Sequence, residues 1–335
     1  MEPSDRALRQ GARLSRAFVV AFLVAAALER AAAQSAPRAD HHQHLFSPAL
    51  AALISPPPPA APTTPIDAAQ LVSLLDAAGI RRAAVLSVAY IWGSPARAIE
   101  NDREKVRAEN DWTAAEVARY RDRLVGFCGV NPLKDYALDE IARCAGIREL
   151  RTGLKLHIGN SVVNYRDPRH VERLRAVFRL ANRQRMAIVI HMRASISQKL
   201  PYGRDEAQIF FDQILPEAPD VSVQIAHLAG GGAPADPAAD AALDVFIDAI
   251  AKKHPLARRL YFDVTGVAQP TTSAERRDVI ARQLRQLGLD RILYGTDAPA
   301  GGNLLPREGW AAFRQLPLTE DEFRTIAGNL APYLR

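Results

Sequence analysis

The chain has 335 residues, a formal charge of +6 and only two cysteines. That length suits one large domain or two small ones, and two cysteines exclude a disulfide-framed scaffold or a cysteine-based zinc site. The basic residues are spread over helix-like stretches that also carry acids, such as "RDVIARQLRQ". This predicts solvated helix surfaces and argues against a nucleic-acid partner.

Residues 1–33 read as a secretory leader. Arg6, Arg9, Arg13 and Arg16 precede the apolar run "AFVVAFLVAAAL", Ala17 to Leu28, and "ERAAAQSA" spaces Ala31 and Ala33 as a small-x-small cleavage site. The run is about 12 residues long, where a membrane span needs roughly 20. No Arg-Arg pair precedes it, which argues against twin-arginine export. The expectation is cleavage after Ala33, with residues 34–335 exported as a periplasmic or secreted protein that has no stable membrane anchoring. The leader carries a net +2, leaving about +4 on the rest.

Past the leader, short apolar or β-branched runs alternate with amphipathic helical stretches. The runs are "ADHHQH" (39–44), "RAAVLSVAY" (82–90), "RLVGFCGVNP" (123–132), "TGLKLHIG" (152–159), "MAIVIHMRA" (186–194), "VSVQIAHLAG" (221–230), "RLYFDVTGV" (259–267) and "RILYGTDAP" (291–299). Helix starts are marked by Asp67, by Pro168, by Ser273, and by Thr319 with Glu322 as a capping box. Eight strand–helix units predict a single (β/α)₈ barrel, a TIM barrel of the α/β class. A doubly wound sheet would show a glycine fingerprint after its first strand, and none is present. The proline-rich "SPPPPAAPTTP" (55–65) falls after the first strand, either walling the pocket or lying on the surface. Cys128 sits in a strand-like run and Cys144 in a helix-like one; two buried thiols are expected, although export would permit one bridge.

Polar residues close these apolar runs. In an extended strand Asp40, His42 and His44 share one face, leaving His41 and Gln43 to face the helices or the surface. Lys155 and His157 end the fourth run, His191 and Arg193 the fifth, His227 the sixth and Asp297 the eighth. In a barrel all these ends meet at one mouth, where active sites are built. Imidazole and carboxylate together suit a borderline cation such as zinc. Tyr90 and Trp92 follow the second run and are candidates for lining a pocket. Asp263 reads as a support for the site or as a structural carboxylate, while His170 and His254 read as solvated.

With these motifs the sequence from about Arg38 onward resembles the amidohydrolase superfamily of metal-dependent barrels, in the branch that includes aminocarboxymuconate semialdehyde decarboxylase. The likeness rests on Asp40, His42 and His44 as a D-x-H-x-H strand, His191 in "IVIHMR", His227 in "IAHLAGGG", Asp297 in "YGTDAP", "GLKLH" around Lys155, and the terminal "IAGNLAPYL". The resemblance implies that His42, His44, His191 and Asp297 hold one divalent ion, zinc by preference, with His227 beside the open position. A second ion is implied only if Lys155 is carbamylated. A homodimer is also implied.

The leading expectation for function is a hydrolase. An activated water would cleave an amide, lactone or other ester bond of a small molecule, with Asp297 and His227 as the catalytic residues. Lys155, His157, Arg193, Tyr90 and Trp92 would contact the substrate. The alternative is a metal-dependent non-oxidative decarboxylase of a small carboxylic acid, in which Lys155 and Arg193 grip acidic groups. A non-catalytic metal- or small-molecule-binding barrel is the third reading.

Overall fold

The strands form where short β-branched or apolar runs can be buried on both faces, as a parallel sheet requires. The computed structural model describes residues 36–97, 99–232, 235–298 and 302–335. The leader expected over residues 1–33 lies outside the described residues.

The eight strands are β1 (Ala39–Gln43), β2 (Arg82–Leu86), β3 (Leu124–Gly129), β4 (Gly153–His157), β5 (Ala187–His191), β6 (Val223–Ile225), β7 (Leu260–Asp263) and β8 (Ile292–Leu293). They pair in parallel in the order β1 to β8. The ring is joined at its seam by backbone bonds from His41 N to Tyr294 O (2.8 Å) and from Asp297 N to His42 O (2.7 Å). Asp40 reinforces that seam. Its Oδ1 accepts from His42 N at 3.0 Å and Thr296 N at 3.2 Å, and its Oδ2 from Gln43 Nε2 at 2.7 Å and the Thr296 hydroxyl at 2.5 Å.

The helices used below are α1 (Pro48–Ile54), α2 (Ala68–Ala77), α3 (Asp102–Ala118), α4 (Ala137–Ala145), α5 (Pro168–Arg183), α6 (Arg204–Ile209), α7 (Pro237–Ala251), α8 (Ala274–Leu287), α9 (Pro306–Phe313) and α10 (Glu320–Gly328). Asp67 caps α2 in a reciprocal box with Gln70, Ser273 caps α8, and Thr319 with Glu322 boxes α10. Each satisfies backbone N–H groups that would otherwise be orphaned. The inner core of the barrel is small: Ala84, Leu86, Phe127, Ala187 and Val189, with Tyr333 packed against it. Tyr333 meets Phe127 edge-on at 5.0 Å, and its hydroxyl donates to Gln224 Oε1.

Three expectations are corrected. His41 and Gln43, expected to face the helices or the surface, are fully buried, and Gln43 does not keep to the face opposite Asp40. The β1–β2 register shifts between Asp40 and Gln43, so strict alternation breaks. Gln43 bonds Asp40 and Thr296, while His41 donates to Tyr294 O at 2.9 Å and accepts from Ala331 N at 3.2 Å. Cys128 and Cys144 are paired in a disulfide rather than held as two thiols. The bridge staples β3 to α4. His170 is only partly exposed and accepts from Asn164 N at 3.0 Å. The proline-rich segment is mostly exposed and does not line the cavity described below.

The bridge closes a loop with a sequence separation of 16 residues, which by chain entropy contributes about 3 kcal/mol. A Cys128→Ala/Cys144→Ala variant should unfold in urea with about that much less stability than the oxidised protein. Reductant should reproduce the loss in the natural chain and leave the variant unmoved.

Candidate active site

The carboxyl ends of the strands gather the polar residues. His42 and His44 come from β1 and its extension, Lys155 and His157 from β4, His191 from the end of β5, His227 from just past β6 and Asp297 from just past β8. All seven line one cavity of about 360 Å³, together with Tyr90, Asn160 and Asn303.

The backbone is forced into unusual conformations to aim these groups. His227, Leu228 and Ala229 follow one another in the left-handed region, at φ 54°, 49° and 65°, and Asp297 has φ 57°. Non-glycine residues there cost on the order of 1–3 kcal/mol each and cluster at functional sites. Gly295 permits the close approach of β8 to β1. A Cβ on it would lie 2.6 Å from Thr265 Oγ1 and 2.8 Å from His42 Cβ. Gly266, at φ +70°, similarly lets the β7 loop meet Gly232, whose carbonyl oxygen a Cβ would approach to 2.7 Å.

Hydrogen bonding sets the tautomers of three imidazoles. His42 Nδ1 donates to Asp263 Oδ2 at 3.0 Å, His44 Nδ1 to Leu86 O at 2.6 Å, and His227 Nδ1 to Thr265 O at 3.0 Å. Each ring therefore turns its Nε2 lone pair to the cavity, where that of His42 accepts from Lys155 Nζ at 3.0 Å. His44 Nε2 lies 3.0 Å from Asp297 Oδ1, a buried oxygen. Two such acceptor atoms facing each other at that distance are brought together by a proton or by a shared metal cation. The ligand atoms of His42, His227 and Asp297 lie within 4.8 Å of one another. The donor set thus fits a divalent ion: neutral imidazoles oriented by outer partners, plus one carboxylate.

Asp263 is the principal outer partner. It is fully buried, and besides His42 it accepts from Gln224 Nε2 at 2.7 Å, His227 N at 2.9 Å and Thr265 N at 3.2 Å. Burial pushes its carboxyl up, but His42 and these other donors outweigh that and hold it well below the usual range. Asp297 is likewise held low; burial raises it and the neighbouring His44 more than compensates.

Burial and the Lys155 charge push His42 down to about 3. His157 and His191 are also pushed well below the ordinary imidazole value, by burial first. These rings are therefore neutral near pH 7, the form that ligates. Lys155 is buried with Nζ 3.0 Å from His42 Nε2, and burial lowers it to about 8.

Not every expected residue reaches the cavity in the expected role. His191 lines it but stacks on His157, with ring centroids 3.9 Å apart, and lies outside the three-residue donor cluster; His227 is inside it. Arg193 is instead committed to Asp236 at 2.7 Å and to the face of Tyr202 at 4.9 Å. Trp92 donates to buried Glu109 at 3.3 Å and does not line the cavity. His254 is exposed, as expected. Asn160, Asn303 and Gln224 were not singled out from the sequence. Asn303 donates to Asp297 O at 3.1 Å, from a segment with no strand periodicity to place it.

Asp263→Asn keeps the shape but replaces the acceptor for His42 with a group that can turn a donor toward it. Loss of such an outer partner costs 10–100-fold in metal affinity. Titration calorimetry with zinc or manganese should show that loss while the far-ultraviolet circular dichroism is unchanged. Unaltered affinity would mean that Asp263 does not orient the ligands.

A family model described as amidohydrolase matches residues 39–329. No curated protein matches the chain significantly by sequence. Among solved structures, a 5-carboxyvanillate decarboxylase from Novosphingobium aromaticivorans, complexed with manganese and 4-hydroxy-3-methoxy-5-nitrobenzoic acid, is similar at TM-score 0.59 and 15% identity, covering 88% of this chain and 95% of that one. A 2,6-dihydroxybenzoate decarboxylase from Rhizobium is similar at TM-score 0.59 and 17% identity, covering 88% and 96%. A probable 2-pyrone-4,6-dicarboxylic acid hydrolase from Acinetobacter baumannii, with citric acid bound, is similar at TM-score 0.56 and 17% identity, covering 86% and 95%.

Proposed function

The chain belongs to the amidohydrolase family, and on that premise we propose that it is a metal-dependent hydrolase that cleaves an amide, lactone or other ester bond of a small molecule. One observation carries the reading: the Nε2 atoms of His42, His44 and His227, their Nδ1 atoms tied to outer acceptors, converge with the Asp297 carboxylate on a single cavity. At about 360 Å³ that cavity suits a small molecule.

A divalent ion bound there would polarise a carbonyl and bring the pKa of a water from about 16 toward 7. His42, His227 and Asp297 would hold it, with His44 beside Asp297 and His191 completing the wall. Asp297 would take the proton of the attacking water and deliver it to the leaving group. Lys155 Nζ would hold a negative oxygen of the substrate or of the tetrahedral stage. Tyr90 and His157, whose rings lie tilted with centroids 5.1 Å apart, would border the substrate. In this reading Lys155 is a free amine and one ion is bound; zinc and manganese both suit the donors. Export to the periplasm or the medium belongs to the same proposal, supported by the leader-like residues 1–33.

Decarboxylation of a small carboxylic acid is the second reading. It is favoured by Lys155, the one cationic side chain among the lining residues described, and by the decarboxylases among the structural relatives. There Lys155 would grip the substrate's acidic group, and Asp297 would convey a proton to the carbon that loses carbon dioxide.

Turnover of aryl esters, lactones and hydroxybenzoates in ¹⁸O-labelled water separates the two. Hydrolysis puts ¹⁸O into the product carboxyl, whereas decarboxylation releases carbon dioxide and takes up a solvent proton at carbon. Chelation should abolish either activity and zinc or manganese restore it. Asp297→Asn should lower kcat by at least about 10²-fold with its unfolding transition unchanged. Normal turnover in that folded variant would overturn the role of Asp297. Elemental analysis should return about one ion per chain. Two would recast Lys155 as a carbamylated bridge, and none after reconstitution would favour a binding barrel.

A further inference from the structure

Because all eight strands are parallel, their amino ends share one pole of the barrel, opposite the catalytic mouth. Seven of the eight strands have an arginine among the five residues before them. Those eight windows hold twelve arginines against four acids, an excess of eight charges, while residues 34–335 as a whole carry only about +4. The rest of the barrel is therefore net acidic, and its positive charge is concentrated at one end.

Three of the pole arginines are paired, Arg119 with Glu116, Arg121 with Glu149 and Arg123 with Asp76; others are not. At the pole Arg148, Arg183, Arg185, Arg258 and Arg259 are exposed, and their side chains make no hydrogen bond or ion pair with the described residues. Arg183 and Arg185 line one hollow of about 480 Å³ with Asn182, Ser222 and a single acid, Asp220, whose carboxylate accepts from Asn182 Nδ2 at 2.9 Å. Arg258 and Arg259 line an adjoining hollow of the same volume, and both hollows share Val221.

Like charges left unpaired around shared hollows call for a multivalent anionic partner. We propose that this pole docks on an anionic phospholipid bilayer, with the lipid phosphates under the arginines and the catalytic mouth facing away from the membrane. The form of the pole favours lipid over nucleic acid. Among the described residues it is built of short turns, with no protruding helix to enter a groove and no exposed aromatic platform; the only exposed large hydrophobic among them is Ile196, past the carboxyl end of β5. The docking is reversible, salt-sensitive adsorption rather than stable anchoring.

The test is flotation of the exported chain, residues 34–335, with vesicles of 70:30 phosphatidylcholine to phosphatidylglycerol, and with phosphatidylcholine alone. Three proteins are compared: the natural chain, Arg183→Ser/Arg185→Ser/Arg259→Ser, and a control triple of exposed helix arginines, Arg173→Ser/Arg282→Ser/Arg307→Ser. None carries the apolar run, so it contributes to no difference between them. Each arginine near an anionic surface is worth roughly a fivefold change in partitioning. The pole variant should thus lose about a hundredfold on anionic vesicles and the control triple far less, at equal unfolding midpoints. Raising the salt to 0.5 M should erase the natural chain's preference for anionic vesicles. Equal partitioning of the two triples, equal binding to neutral and anionic vesicles, or displacement from the vesicles by duplex DNA would overturn the proposal.

Discussion

The site depends on a single buried carboxylate. Asp263 accepts four hydrogen bonds, one from the His42 ring, one from Gln224 and two from the backbone of His227 and Thr265. An unpaired carboxylate at that depth would be prohibitive, but four donors make the ionised form the stable one. In return its charge fixes which His42 nitrogen carries the proton, and its second oxygen holds the His227 backbone in the left-handed turn. Asp263 thus ties a ring from β1 to a turn after β6 while itself sitting at the end of β7.

Asp40 has the complementary task. It lies one residue from His41 and two from His42, yet its oxygens are spent on Gln43, Thr296 and the backbone, so none is left for the cavity. Burial raises it to about 7 against the pull of those donors. Two carboxylates at strand ends therefore have divided roles: Asp40 closes the barrel seam and Asp263 orients the rings. Asp297, which lines the cavity, is left for chemistry.

The parts of this arrangement that were legible in the sequence share one property: they are set by local pattern. The eight apolar runs, each closed by a polar residue, point to the barrel and to His42, His44, Lys155, His157, His191, His227 and Asp297 as mouth residues, because strand direction alone decides which end a residue reaches. What was not legible depends on partners remote in the chain. Gln43 turned inward because β1 and β2 slip register. Arg193 was withdrawn from the pocket by Asp236, 43 residues on. Cys128 met Cys144 because α4 packs over β3, and a spacing of 16 between a strand and a helix does not announce that. The closeness of His227, rather than His191, to His42 and Asp297 is of the same kind. It rests on three consecutive left-handed residues after β6, a backbone choice that no residue in "HLA" signals.

Parallel strands also account for the polarity of the whole molecule. A parallel sheet has two chemically different ends, and each strand is fed by a turn at one and opens a loop at the other. Here the opening ends hold imidazoles kept neutral by burial, which can ligate, while the feeding turns hold arginines that stay charged at any accessible pH. Confined to opposite poles of a barrel, the two sets perturb each other little, since their separation exceeds the screening length at physiological salt, about 8 Å. A lysine admitted to the mouth, as Lys155 is, has the opposite effect. Its nitrogen lies 3.0 Å from His42 Nε2, and its charge helps to keep that ring unprotonated. The same cation that can grip an anionic substrate therefore also favours the ligating form of the first imidazole, which is why one buried lysine is compatible with a cavity otherwise built from lone pairs.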